Sequence, residues 1–317
     1  MHRYRYIIHV CLFVIIVLLT FQTNYSPLTS HHPELITQSI HVTKSNDPLY
    51  KEIQKKSASY YEKPQNAYID KVWKKTPGRN GIKVNINKSF EKMNKEDIFN
   101  ESLLVYEEVP PEITLKDLPA SPIYRGHPDK DMVAFLINVS WGEEFIPEIL
   151  TVLKEYHLKA TFFIEGKWAK ENANYVKMID EQGHVIGNHA YNHPDMARLS
   201  QQEINEQIVE TNNIIKAIVG KEPRLFAPPS GSFNDEVVKQ AHELNMETIL
   251  WTVDTIDWKN PSVDVMINRV MSNIHQGAMI LMHPTSPVAN GLSMLIEDIK
   301  SKDYRIGTVD QLLSEER

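Results

Sequence analysis

The chain has 317 residues, a formal net charge of −7 and one cysteine. That charge excludes a nucleic-acid binder working through an overall basic surface, and the lone Cys11 excludes a disulfide framework. The length allows one large domain plus a smaller one.

The chain opens Met-His-Arg-Tyr-Arg and runs into a mostly apolar stretch over residues 6–21. Arg3 and Arg5 form the positive flank that stays in the cytoplasm, and Tyr4, Tyr6 and Tyr25 suit the membrane interfaces. No small-residue cleavage site follows Phe21. Residues 1–25 therefore read as an uncleaved signal anchor, giving a single-pass cell-membrane protein with its bulk extracytoplasmic. A removed signal peptide would make it secreted instead. The cysteine-free remainder suits an extracytoplasmic bacterial surface.

Residues 26–65 are polar and broken by Pro27, Pro33 and Pro48, and read as a stalk. Residues 66–122 read as a small α/β unit. Pro77-Gly78-Arg79-Asn80-Gly81 is a turn, residues 82–86 alternate as a half-buried strand, and residues 87–100 suit a helix with Phe90 and Met93 inward. Its lysines (Lys71, Lys74, Lys75, Lys83, Lys88, Lys92, Lys95) read as a solvated face, or as a contact for anionic wall polymer or lipid headgroups.

Residues 123–317 alternate apolar strands with helices. Strands are expected at 133–137, 160–164, 185–186, 225–226, 248–251, 279–282 and 305–308, and helices at 147–157, 172–182, 201–219, 235–244, 262–274 and 291–302, with a terminal helix. Such alternation calls for a parallel sheet with helices on its outer face, and so many short units suit a (β/α) barrel. Chemistry on a barrel sits at the C-terminal strand ends. There the sequence places Asn138, the pair His189 and His193, then Asp254, Asp257 and His283. Imidazoles at close spacing suit zinc or a similar divalent metal. Gly187 before the pair and Pro194 after it argue for a strand running into a loop.

These segments resemble the polysaccharide deacetylase family, also called NodB-homology or carbohydrate esterase family 4. The resemblance spans about residues 132–313. Ala160-Thr161-Phe162-Phe163, Gly183-His184-Val185-Ile186-Gly187-Asn188-His189, Trp251-Thr252-Val253-Asp254-Thr255-Ile256-Asp257-Trp258 and Ile280-Leu281-Met282-His283 match successive family motifs. Phe226-Ala227-Pro228-Pro229-Ser230-Gly231 looks like the family's Arg-x-Pro-x-Gly segment. The resemblance implies a deformed (β/α) barrel and a divalent metal held by an aspartate and two histidines, here His189 and His193. The metal would activate water against the N-acetyl group of a cell-wall glycan. His283 would be the acid, with Asp254 and Asp257 beside it, one of them orienting its imidazole.

Two departures stand out. The family's first motif is Thr-Phe-Asp-Asp-Gly, whereas this strand ends Leu136-Ile137-Asn138-Val139-Ser140-Trp141-Gly142. Asn138 then stands at the position of the base and Val139 at that of the metal aspartate, and the motif arginine that pairs with the base is Ala227. Base and partner are lost together, which avoids a buried unpaired charge. Glu143 or Glu144 could supply a carboxylate from a remodelled loop, or could simply form an acidic first helical turn. The expectation is a metal-dependent deacetylase with a degraded or rearranged site. The alternative is an inactive glycan-binding member of the same fold.

Overall fold

The structure is a computed structural model that describes residues 46–317. The expected anchor over residues 1–25 and the first part of the stalk lie outside the described residues. Among the described residues, no helix is long and apolar enough to cross a membrane. The described residues form two compact units, one of residues 46–60 with 84–105 and one of residues 61–83 with 106–317.

The first unit is helical. Asp47 caps α1 (Pro48–Ser57) by accepting the Leu49 N–H at 2.8 Å. The apolar stripe Leu49, Tyr50 and Ile53 packs on Phe90 and Met93 of α2 (Ile86–Met93), with Val84 and Leu104 completing the cluster. The stalk reading of residues 26–65 is therefore corrected over 48–57, where a few well-spaced apolar residues make a helix inside a polar stretch. The expected helix over 87–100 ends at Met93, and the next strand of the chain begins at Tyr106.

The expected unit over 66–122 is divided between the two units. Residues 61–83 and 106–122 belong to the second, where they form two hairpin-like sheets. β1 (Tyr68–Asp70) pairs antiparallel with β2 (Lys74–Thr76), and β3 (Gly81–Val84) lies beside β4 (Tyr106–Val109). Lys75 departs most from expectation. It is fully buried, and its ammonium reaches both carboxylate oxygens of Glu247, at 2.7 and 2.9 Å. A lysine is buried in this way only when its charge is paired.

The main sheet is wholly parallel and has eight strands: β5 (Met132–Val139), β6 (Thr161–Ile164), β7 (Val185–Asn188), β8 (Leu225–Phe226), β9 (Glu247–Thr248), β10 (Val253–Asp254), β11 (Met279–Met282) and β12 (Arg305–Gly307). The order is β10-β11-β5-β6-β7-β8-β9, with β12 pairing the start of β5. No pairing joins β9 to β10, so the sheet is an open half-barrel rather than a closed ring. The strand expected at 248–251 is split because an outside residue takes its hydrogen bonds. The Ile123 N–H donates to the Thr248 carbonyl, and the Leu250 N–H donates to that of Ile123, at 2.9 and 2.8 Å.

Helices α3 (Ile146–Glu155), α4 (Gly166–Glu171), α5 (Ala173–Glu181), α6 (Gln201–Val219), α7 (Asp235–Glu243), α8 (Val263–Asn273), α9 (Ser286–Ser301) and α10 (Val309–Leu313) connect or follow the strands. β5 is buried along its whole length. Its alternate residues join two cores. Val133, Phe135, Ile137 and Val139 pack toward Ile146, Leu150 and Ile296, while Ala134 and Leu136 join Phe163, Ile249 and Met279 on the concave side. Strand alternation thus puts Asn138 on the concave face and Val139 on the helix-covered face.

Candidate active site

The polar residues gather at the C-terminal ends of the strands. After β10, the chain makes a short turn, Asp257–Lys259, entered through Ile256 at φ +50°. That turn buries the Asp257 carboxylate, which is 1% exposed. One oxygen accepts from His283 Nδ1 at 3.0 Å and from the Thr255 hydroxyl at 2.6 Å. The other accepts from the Thr285 hydroxyl at 2.8 Å and from the His283 backbone N–H at 3.1 Å. Burial alone would raise the Asp257 pKa; the hydrogen bonds and charge of His283, with the two threonine hydroxyls, outweigh it and hold the carboxyl below its usual value. The imidazole is fixed as an Nδ1–H donor, leaving Nε2 for a ligand.

Asp254 does something else: its Oδ1 accepts the Ile256 N–H at 2.8 Å and shapes the turn that delivers Asp257. Of the two aspartates expected beside His283, Asp257 orients the ring. Asp257→Ala should lower stability by about 2–4 kcal/mol, because it strands buried donors. A depressed carboxyl pKa gives stability that is present above the unfolded value, near 3.9, and lost as pH falls through the folded value. Denaturation of the variant should therefore lack that acid-side loss, and an unchanged acid limb would contradict the assignment.

His189 follows β7 and is 1% exposed. Its Nδ1–H donates to the Ala227 carbonyl at 2.7 Å, leaving the Nε2 lone pair free. Burial, reinforced by the nearby His193, lowers its pKa to about 3, so the ring is neutral at physiological pH. His193 is exposed, at φ +58°, and its ring stands edge-on to His189 with centroids 5.2 Å apart. The loop between them is shaped by Gln207, whose side-chain oxygen accepts the Tyr191 and Asn192 N–H groups at 2.9 and 3.2 Å. The two neutral imidazoles suit a divalent metal.

The rest of the donor set does not. Val139 is fully buried in the helix-side core, on the face opposite the histidines, so the expected register is corrected: aligned on Gly142, the motif's two aspartates fall at Ser140 and Trp141, and neither supplies a carboxylate. Among the described residues, no three His, Cys, Asp or Glu side chains are grouped so as to hold a metal. Glu143 does not fill the place, since its carboxylate accepts the Trp168 indole N–H at 3.2 Å, and Glu144 is exposed. The residues present therefore do not make the expected cage. Asn138, expected at the base position, takes the place of the motif's threonine in this register; it is 4% exposed, and its Oδ1 is buried with no hydrogen-bond partner.

Several contributors were missed in the sequence. Thr255 and Thr285 fix Asp257; a hydroxyl two residues before the aspartate and another two after His283 were available signals. Trp141 lies over His283 with ring centroids 5.9 Å apart and planes 10° from parallel. Glu165, just past β6, is 8% exposed, and burial pushes its carboxyl above the usual range. Nothing in its sequence surroundings distinguished it from a surface glutamate.

Comparison with known proteins agrees with this fold. The family model Polysaccharide deacetylase matches residues 125–249. A peptidoglycan-N-acetylglucosamine deacetylase of Bacillus cereus is 36% identical over 194 residues, covering 60% of this chain and 70% of that protein. The crystal structure of wild-type BA3943, a CE4 family pseudoenzyme from Bacillus anthracis, matches at 50% identity with a TM-score of 0.80, covering 85% of this chain and 96% of that one. A BA3943 mutant with restored enzymatic activity matches at 49% identity with a TM-score of 0.80, covering 85% and 99%. With this similarity in sequence and fold, the chain belongs to the polysaccharide deacetylase family.

Proposed function

We propose that this protein is a non-hydrolytic member of its family that binds an N-acetylated cell-wall glycan, resembling peptidoglycan, in the groove of the half-barrel. The observation that carries the reading is the loss just after β5. Ser140 stands where the motif has its first aspartate, and Trp141, stacked on His283, stands where it has its second. A hydroxyl accepts no proton near neutral pH and an indole offers a metal no ligand atom, and a missing general base costs about 10²–10⁴ in rate. The intact Asp257–His283 pair still presents a directed imidazole at the groove, which serves recognition as well as catalysis. A place outside the cytoplasm, held to the membrane by residues 1–25, fits such a ligand.

The expected result is binding of an N-acetylglucosamine oligomer with no acetate release, whether or not zinc or chelator is added. Chelator-sensitive acetate release together with stoichiometric metal would overturn the proposal. It would favour the second reading, a slow metal-dependent hydrolase, which is supported by the retained His189, His193, Asp257 and His283. In that case His189→Ala with His193→Ala should abolish zinc retention.

A further inference from the structure

We infer that the outward face of Trp141 is a stacking platform for a pyranose ring, and that this residue sets how tightly the groove holds its glycan. The inference rests on the glycan-binding reading and adds a residue that the family motifs do not supply. The motif at this strand end reads Thr-Phe-Asp-Asp-Gly, and this chain puts an indole in place of its second aspartate.

Three observations point the same way. Trp141 is 45% exposed although one of its faces lies nearly parallel to the His283 imidazole. A large aromatic held flat at the site with its other face in water suits the apolar face of a sugar, and its indole N–H suits a hydroxyl. The indole is also held in place. The next residue, Gly142, sits at φ +81°, and a Cβ there would come 2.0 Å from the Pro284 carbonyl oxygen, so the loop after β5 is clasped to the loop carrying His283. Beyond it, Glu143 is tied to the Trp168 indole. A rigid aromatic loses little conformational entropy when a ligand settles on it.

The other exposed indoles of this unit are less suited. Trp258 carries the Lys259 ammonium 4.9 Å from its ring centroid, and Trp73 packs edge-on against Tyr124 near the β1–β2 turn. Trp141 is the one stacked on a residue of the site.

The test is calorimetric titration of the full-length protein in detergent with an N-acetylglucosamine tetramer. Trp141→Ala should weaken binding at least tenfold, Trp141→Phe should stay within about threefold of wild type, and Trp258→Ala should change it less than Trp141→Ala. Thermal melting of Trp141→Ala should match wild type, which separates a lost platform from a damaged fold. Measurable wild-type binding with Trp141→Ala unaffected would overturn the platform alone. No binding by the wild type would overturn both the platform and the glycan reading.

Discussion

Ser140→Asp, Trp141→Asp and Ala227→Arg, introduced together, are expected to produce chelator-sensitive acetate release from an N-acetylglucosamine oligomer. Against the single changes, the combination should gain about 10²–10⁴-fold, the usual contribution of a positioned base. Ser140 lies two residues beyond Asn138, so it keeps to the concave side, and its Oγ is buried there. Ala227 is 1% exposed in the concave core, and its carbonyl holds His189. An arginine there is tolerable only with the new carboxylate to pair it, which is why Ala227→Arg alone should destabilise. Trp141 is the harder position, because Trp141→Asp removes the indole stacked on His283. A carboxylate there would complete a donor set with His189 and His193. Zinc should stabilise the triple variant, since ligand binding to the folded state adds to its stability. If the triple variant folds, takes up zinc and still releases no acetate, the groove beyond these positions has diverged as well.

The second large effect is an acid-side loss of stability that begins well above the carboxylate range. Two buried imidazoles are held neutral by donated backbone hydrogen bonds. His127 is 1% exposed; its Nδ1 accepts the Asp129 N–H at 3.1 Å, and its Nε2 faces the Gln65 side-chain oxygen at 3.0 Å. His184 is 5% exposed, and its Nδ1 accepts the Ala160 N–H at 3.1 Å. Protonation would turn each accepting nitrogen into a second donor facing an N–H. Burial, the largest cause in each, lowers both pKa values from 6.5 to about 4, with Lys159 adding to the effect on His184. For a base with a lowered folded pKa, the unfolded chain takes up the proton first as pH falls. Stability is therefore complete above about pH 6.5 and declines between 6.5 and about 4. Each histidine contributes a slope of up to about 1.4 kcal/mol per pH unit, or about 2.7 together, and the buried His189 adds a third such share. Urea midpoints measured from pH 7.5 to 4.5 should show this slope. His184→Asn, whose Oδ1 can replace Nδ1 as acceptor for the Ala160 N–H, should remove about a third of it. A midpoint that stays flat down to pH 5 would contradict the account.

Much of the barrel was legible because its signals are local. β5 and β11 are continuous apolar runs, and α6 begins with the Ser200–Glu203 capping box and ends at Gly220 in the left-handed region. The positions of His189, His193, Asp257 and His283 could be read for a similar reason, since each follows directly on a strand or sits in the turn just after one. What stayed hidden depends on distant partners. Lys75 looks like any surface lysine until Glu247, far along the chain, is placed beside it. The division of labour between Asp254 and Asp257 depends on which carboxylate the Ile256 N–H reaches. The split of the 248–251 strand needs Ile123, which no pattern of apolar residues inside the strand announces.

That insertion of Ile123 bears on how the molecule can be cut. Residues 125–249 mark shared descent, but they do not mark a piece that stands alone. The strand edge at Thr248–Leu250 is hydrogen-bonded to Ile123, and the preceding Pro122 carbonyl accepts the N–H of Lys75, the residue whose charge satisfies Glu247. At the far end, Lys130 donates to the carbonyls of Gln311 and Ser314, and Arg317 reaches the Asn80 carbonyl and the Glu62 carboxylate. A fragment trimmed to the ancestral motif would lose the stave that seals an open sheet and uncover a bare strand edge, the usual starting point for aggregation. The segments that precede residue 125 are thus part of the half-barrel's wall, and a fragment that is to fold has to keep them.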